Sequence, residues 1–335
     1  MSRGLDRARA ALIALLTATA AGSLLMILAG AAPAAVWRAL VASALGDGYG
    51  VGQVLFRATP LVFTGLAVAV PRRAGLFNIG GEGQLATGAL AAAVVAAGLP
   101  ADVSGWVAVP AALVAAMAGG GMLGAITGAL RVCRGTHEVV VAILLNFIVA
   151  GVMLWLGNRW LFVGEATRTA TIVDGATLPS LGLAGSSASV SVVGAVLAAG
   201  VVAWVFARTT VGFTWRAVGT GRAAARAAGL PVRRAQISAM AVGGALAGLA
   251  GAHFVLGHKH AFETGLGRGA GFVGVAVALL AQGDALAMIA SALVFAILAQ
   301  GGLGVAATVP KEMFDVLQAV VMLVVAASLG RRARR

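Results

Sequence analysis

Apolar stretches of about 20 residues without a charged side chain recur along the whole chain, and this recurrence constrains the fold more than any other feature. A stretch of that length crosses the roughly 30 Å hydrocarbon core of a bilayer as a helix, whose backbone hydrogen bonds are all internal. The alternating segments of about ten residues that mark barrel strands do not recur. With 60% hydrophobic and 10% charged residues and a mean hydropathy of +0.99, the 335-residue chain reads as an all-α integral membrane protein.

Apolar windows between charged or Pro/Gly-rich breaks predict about ten transmembrane helices, near 10–30, 54–70, 78–98, 106–130, 138–157, 190–207, 238–256, 270–283, 285–303 and 312–329. The first has the outline of a signal peptide, with Arg3, Arg7 and Arg9 ahead of an apolar run. That run extends from Ala10 to Ala32, too long for a typical signal core, so it is read as an uncleaved span.

The formal charge of +13 would suggest nucleic acid in a soluble protein, but here it first tests topology. With the N-terminus cytoplasmic, one face receives Arg3, Arg7, Arg9, Arg72, Arg73, Arg131, Arg134, Arg208, Arg216, Arg222, Arg226, Arg233, Arg234, Arg331, Arg332, Arg334 and Arg335, that is 17 of the 24 basic residues. This bias predicts a multi-pass protein of the cytoplasmic (inner) membrane with both termini cytoplasmic. It also removes nucleic acid as a partner, because the arginines are spread over separate short loops. The whole chain, 1–335, is one transmembrane domain, with a long cytoplasmic connection at 208–237 and a long extracellular one at 158–190. Ten spans divide into five plus five, and an odd number per half would make any structural repeat an inverted one.

The segment "GLFNIGGEGQL", residues 75–85, interrupts this pattern with Asn78, Glu82, Gln84 and four glycines. Arg72 and Arg73 mark the membrane surface before it, yet the uninterrupted run Leu85–Leu99 covers only about 22 Å at 1.5 Å per residue. Part of the irregular stretch therefore lies at membrane depth, where such backbone is tolerated only inside protein or against a water-filled cavity. The alternative is a cytoplasmic loop with a solvated Glu82 and a short helix. "GAGFVGVAVALLAQG", 269–283, is equally short and begins with glycines. Counted by halves, spans three and eight are both third, and such paired interruptions point to a transporter's central site.

Asn146, within "ILLNFIV", either lines a pathway or bonds between helices. Gly120, Gly124 and Gly128, and Gly244, Gly248 and Ala252, form small-residue stripes that permit close packing of helices. His253, His258 and His260 match no metal-ligand pattern and read as polar loop residues beside Lys259, so no metal or other cofactor is expected. Cys133 is the lone cysteine. The 208–236 stretch predicts a short helix at Ala223–Ala228 ended by Gly229 and Pro231, flanked by arginines suited to another protein or to membrane lipids. Neither lysine stands in a Walker A context, and no nucleophile–base pair is evident, so the chain is not expected to be an enzyme.

The stretches "ATPLVFTGLAVAVPRRAGLFNIGGEGQLATGALAAA", "RAVGTGRAAARAAGLPVRRAQISAMAVGGALAGLAGA" and "GFVGVAVALLAQGDALAMIASALVFAILAQGG" resemble the membrane permease of bacterial ABC importers of the ribose, simple-sugar and nucleoside type. The match covers about 54–328, and "FNIGGEGQ" is closest to the nucleoside branch. The chain departs from the family's frequent Gly-Tyr-Gly-Phe at "GAGF", 269–272, and from its frequent Asn-Pro at Gly283 and Asp284.

The resemblance implies a transmembrane subunit that carries nucleosides or related ribosides. Its partners would be an ABC ATPase subunit, commonly a double-cassette one, a second permease subunit, and an extracytoplasmic binding lipoprotein. It implies a pathway at Phe77, Asn78, Glu82, Gln84 and Asn146. A coupling segment to the ATPase would contain Gly219, Arg222, Ala225, Arg226 and Gly229. A ribose or simple-sugar permease is the alternative, and an ion-driven secondary transporter with Glu82 as proton site is a third reading.

Overall fold

A computed structural model of the chain describes residues 13, 16–17, 19–28, 30–164, 166–307, 309–310, 313–314, 316–320 and 322–324. Parts of the predicted first and tenth spans, the arginine-rich ends, Glu165 and Lys311 lie outside these residues.

The described residues contain helices and no named strand. α1 (Thr19–Leu28) and α2 (Pro33–Leu45) meet at a bend of 118°. They are followed by α3 (Gly48–Arg73), α4 (Gly81–Ala97), α5 (Gly105–Arg134), α6 (Glu138–Leu156) and α7 (Ser191–Arg208). Then come α8 (Thr210–Thr220), α9 (Arg222–Ala227), α10 (Val232–Phe254), α11 (Ala270–Leu280) and α12 (Ala287–Gly304). Six of these are long and apolar enough to cross a membrane, α6 and α10 including the π-turns that continue them, or seven if the bent pair α1–α2 is one span. The chain is a multi-pass membrane protein.

α4, with 17 residues, and α11, with 11, are shorter than a span, at about 26 Å and 16 Å. The sequence reading started the third helix at Leu85, whereas it begins at Gly81. Only 74–80 is irregular, and Glu82 sits in a first helical turn. Glycine is a poor helix former in isolation, but the packing described below holds Gly81 and Gly83 in helix.

α3 and α10 are the most buried long helices, and α6 and α7 the most exposed. α10 packs on α3, α4 and α5. The two glycine stripes form the α5–α10 seam: a methyl on Gly244 would collide with the Gly120 carbonyl, and one on Gly248 with the Ala116 carbonyl. Gly88 brings α4 onto the same Gly248 backbone. Lipid is as apolar as leucine, so contact of this kind, backbone against backbone, supplies the association that burial supplies in water.

At one end of the bundle the 158–190 connection is tied down by backbone hydrogen bonds. Thr169 N donates to Phe262 O at 3.0 Å, Ile172 N to His260 O at 2.9 Å and Leu178 N to Leu256 O at 2.8 Å. Ile172 and Ala176 of this connection are buried. His253, read from sequence as a loop residue, lies in the last turn of α10. There it is buried, with Nδ1 2.7 Å from the Ser191 hydroxyl and its ring 5.0 Å from that of Phe56. At the opposite end, Arg73 Nη2 donates to Gly283 O at 3.5 Å, and the Arg73 Cζ lies 4.6 Å from the centre of the Phe206 ring.

Replacing Gly248 by leucine should lower the thermal unfolding midpoint in detergent by several degrees, since overpacking a filled seam costs about 1–3 kcal/mol. Gly151→Leu, at an exposed α6 position with open space around it, should leave the midpoint unchanged.

Candidate functional site

α3 contains Pro71, which has no N–H to give to the carbonyl four residues earlier. That carbonyl belongs to Ala67, and the Asn78 Nδ2 donates to it at 3.1 Å. The chain leaves α3 through Ala74 and a left-handed Gly75 (φ +72°), then folds back so that Asn78 reaches the helix it has just left. Asn78 also pairs with Gln84: Asn78 Nδ2 donates to Gln84 Oε1 at 2.8 Å, and Gln84 Nε2 to Asn78 Oδ1 at 3.1 Å. Asn78 Oδ1 further accepts from Gly80 N at 3.1 Å, beside the first turn of α4. Both amides are fully buried. The two side chains thus satisfy each other and the backbone around a break that water cannot serve.

Glu82 faces the other way. Its Oε1 accepts from Gly269 N at 2.7 Å and its Oε2 from Gly271 N at 3.0 Å. These are donors at the start of α11, so a carboxylate on α4 caps a helix 187 residues away in sequence. The two helices meet at their N-termini. A methyl on Gly271 would collide with the backbone of Gly81 and Glu82, and one on Gly81 would lie 3.3 Å from the Gly271 carbonyl. Gly269, at φ +90°, turns the chain into α11. Thr64 of α3 completes the junction, its hydroxyl 3.0 Å from Ala270 O and 2.9 Å from Pro60 O, the carbonyl one turn before it.

Asn146 of α6 accepts from Gly83 N through Oδ1 at 3.0 Å, a bond between helices, and its Nδ2 is buried with no partner among the described residues. Phe77 is half-buried against the main hydrophobic core. The five residues of the sequence reading therefore gather around the start of α4 but fall into three groups. Phe77, Asn78 and Gln84 pack on the α3 side, Asn78 and Gln84 bonding to each other, while Glu82 faces α11 and Asn146, from α6, faces α4. Sequence reasoning missed Gly269 and Gly271 as the partners of Glu82, and Thr64 as the residue that ties α3 to the start of α11. The "GAGF" glycines stand out in the sequence, but nothing local to them signals a carboxylate so far away in the chain.

α9 spans Arg222–Ala227, one residue from the predicted helix. Ala225 is buried, Arg226 is exposed, and Gly229 is left-handed at φ +76°. Arg222 Nη2 donates to Gly75 O at 2.9 Å, and a methyl on Gly219 would collide with the Arg73 carbonyl. The short helix thus rests on the turn that leads, three residues later, to Asn78.

The family described as "Branched-chain amino acid transport system / permease component" matches residues 50–326. The guanosine ABC transporter permease protein NupP of Bacillus subtilis is 36% identical over 328 residues, covering 96% of this chain and 93% of that protein. The glucose ABC transporter permease protein TsgB13 of Haloferax volcanii is 33% identical, covering 93% and 85%. The nucleoside ABC transporter permease protein NupB of Lactococcus lactis is 30% identical, covering 94% and 89%.

Glu82→Gln can accept only one of the two glycine N–H bonds and loses the charge that strengthens it. Amide hydrogen exchange at residues 269–273 should accelerate at least tenfold in this variant, read by mass spectrometry, while exchange along α5 stays unchanged.

Proposed function

Because this chain belongs to the permease-component family and is a transmembrane subunit of an ABC transporter, we propose that it carries nucleosides or related ribosides into the cell across the cytoplasmic membrane. A permease of this kind is not itself an enzyme and works with an ATPase and a substrate-binding protein. The observation that carries the substrate is the near full-length similarity to permeases named for guanosine and for nucleosides. The glucose permease relative supports a second reading, a simple sugar as cargo.

In this reading ten spans, arranged as five plus five in inverted order, put α4 and α11 in corresponding third places. Two opposed short helices with touching N-termini are what a broken-helix centre needs, and their meeting at Gly81 and Gly271 supports it. Both termini face the cytoplasm, the 158–190 connection meets an extracytoplasmic binding lipoprotein, and a second permease subunit completes the pathway. Phe77, Glu82 and the unpartnered Asn146 amide border that pathway, and the Asn78–Gln84 pair holds its wall in shape. Release of Glu82 from Gly269 and Gly271 would separate α4 from α11 and change which side is open. The α8–α9 segment, with Gly219, Arg222, Ala225, Arg226 and Gly229, inserts into the ATPase, which is of the double-cassette type. The Arg222 bond to Gly75 carries its movement to the break.

Three results test this. Uptake of labelled guanosine by cells or proteoliposomes holding the full transporter should be suppressed by excess unlabelled nucleoside and not by glucose or ribose. Suppression by the sugars alone would select the second reading. Glu82→Gln should cut uptake at least tenfold while the amount of assembled complex falls less than twofold, and unchanged uptake would return Glu82 to a purely structural role. Gly229→Trp should leave ATP hydrolysis running without uptake, whereas normal uptake would refute the coupling assignment.

A further inference from the structure

One side of the bundle carries a long apolar cavity of about 920 Å³ between α7 on one wall and α5 and α10 on the other. Its lining is hydrocarbon nearly throughout, and its polar groups lie at the ends. Ser191 and His253 close one end, and Thr209, Trp215 and Ser238 the other. Leu197 and Val201 on α7 and Val242 on α10 line it and are also exposed, so the cavity opens sideways onto the surface that faces lipid. From Ser191 to Arg208, α7 rises about 26 Å, nearly the thickness of the hydrocarbon core.

Both walls continue into an arginine at the same end. On α7 the lining positions Leu197, Val201 and Val205 recur every four residues, and Arg208, three residues beyond Val205, lies just under one turn further along the same side. On α10 the lining positions Val242 and Ser238 lead, one turn earlier, to Arg234. Arg208 and Arg234 are exposed, and neither forms an ion pair among the described residues. α8 follows Arg208 in the chain and carries exposed Val211 and Phe213, of which Val211 also lines the cavity. Among the described residues no acidic side chain lines the cavity.

We propose that this cavity is a binding site for an anionic phospholipid, with an acyl chain between α7 and α10 and the phosphate held by Arg208 and Arg234. The apolar lining fits a chain and the two guanidinium groups fit a charged headgroup, a combination that a neutral lipid or a second apolar helix does not use. The proposal needs only that the bundle spans a membrane, and stands whatever the cargo is.

The experiment uses the full transporter reconstituted in nanodiscs of equal phosphatidylglycerol and phosphatidylethanolamine. It is then released into mild detergent, and the retained lipid is read by native mass spectrometry. Phosphatidylglycerol should be retained at least tenfold over phosphatidylethanolamine. Arg208→Gln combined with Arg234→Gln should bring that preference close to one, each arginine contributing roughly fivefold. Gly194 lines the cavity with open space beside it, so Gly194→Leu should reduce retention of both lipids. Equal retention of the two lipids by the parent, or an unchanged preference in the double arginine variant, would overturn the proposal. So would a disulfide between two copies of a Leu197→Cys, Cys133→Ala chain within the assembled transporter, because the cavity would then belong to a subunit contact. The arginine variants lie at exposed positions, so the test remains decisive even if Gly194→Leu does not fold.

Discussion

Peptide groups buried inside protein have no water to turn to, and the meeting of α4 with α11 is where this chain must answer for them. Two helices begin there, each with donors that no earlier turn can use. Glu82 takes two of α11's donors, and Asn78 and Gln84 serve the break before α4 and the Ala67 carbonyl stranded by Pro71. A buried polar group left unmade costs about 1–3 kcal/mol, so several together would undo the local fold. The side chains that look out of place in an apolar sequence are the ones that make the break affordable.

The junction depends on close approach, and close approach depends on glycine. Gly81 and Gly271 let the two N-termini touch, while the Gly120, Gly244 and Gly248 seam locks α10 against α5. The result is a bundle held by backbone contact, with α10 as the shared neighbour of α3, α4 and α5. Movement of one short helix then has few places to go. α9 sits on Gly75, Gly75 precedes Asn78, and Asn78 pairs with Gln84 on α4. This chain of contacts gives the proposed coupling a physical course from the arginine-rich end to the middle of the bundle.

Much of this was legible residue by residue. The spans near 106–130, 138–157, 190–207 and 285–303 fall within a few residues of α5, α6, α7 and α12, because a run of apolar residues between charges has few other ways to sit in lipid. The short helix near Ala223 and the two glycine stripes were also visible, since alanine propensity and fourfold spacing are local signals. The start of α4 was not. Glycine at positions 81 and 83 argues against helix by propensity, and only the contacts with Gly271 and Asn146 overrule it. His253 was misread for the same reason: a polar residue near a loop looks solvated until Ser191, from another helix, supplies its partner.

The sequence by itself determined that the chain is a helical membrane protein, which family it resembles, and which few polar residues need an explanation. These follow from composition, spacing and the cost of charge in hydrocarbon, all of which act along the chain. Only the tertiary structure decided which partner each polar residue takes: Ala67 for Asn78, the α11 backbone for Glu82, Gly83 for Asn146. Those pairings join residues up to 189 positions apart, and a hydrogen bond is set by distance in space, which no local pattern encodes.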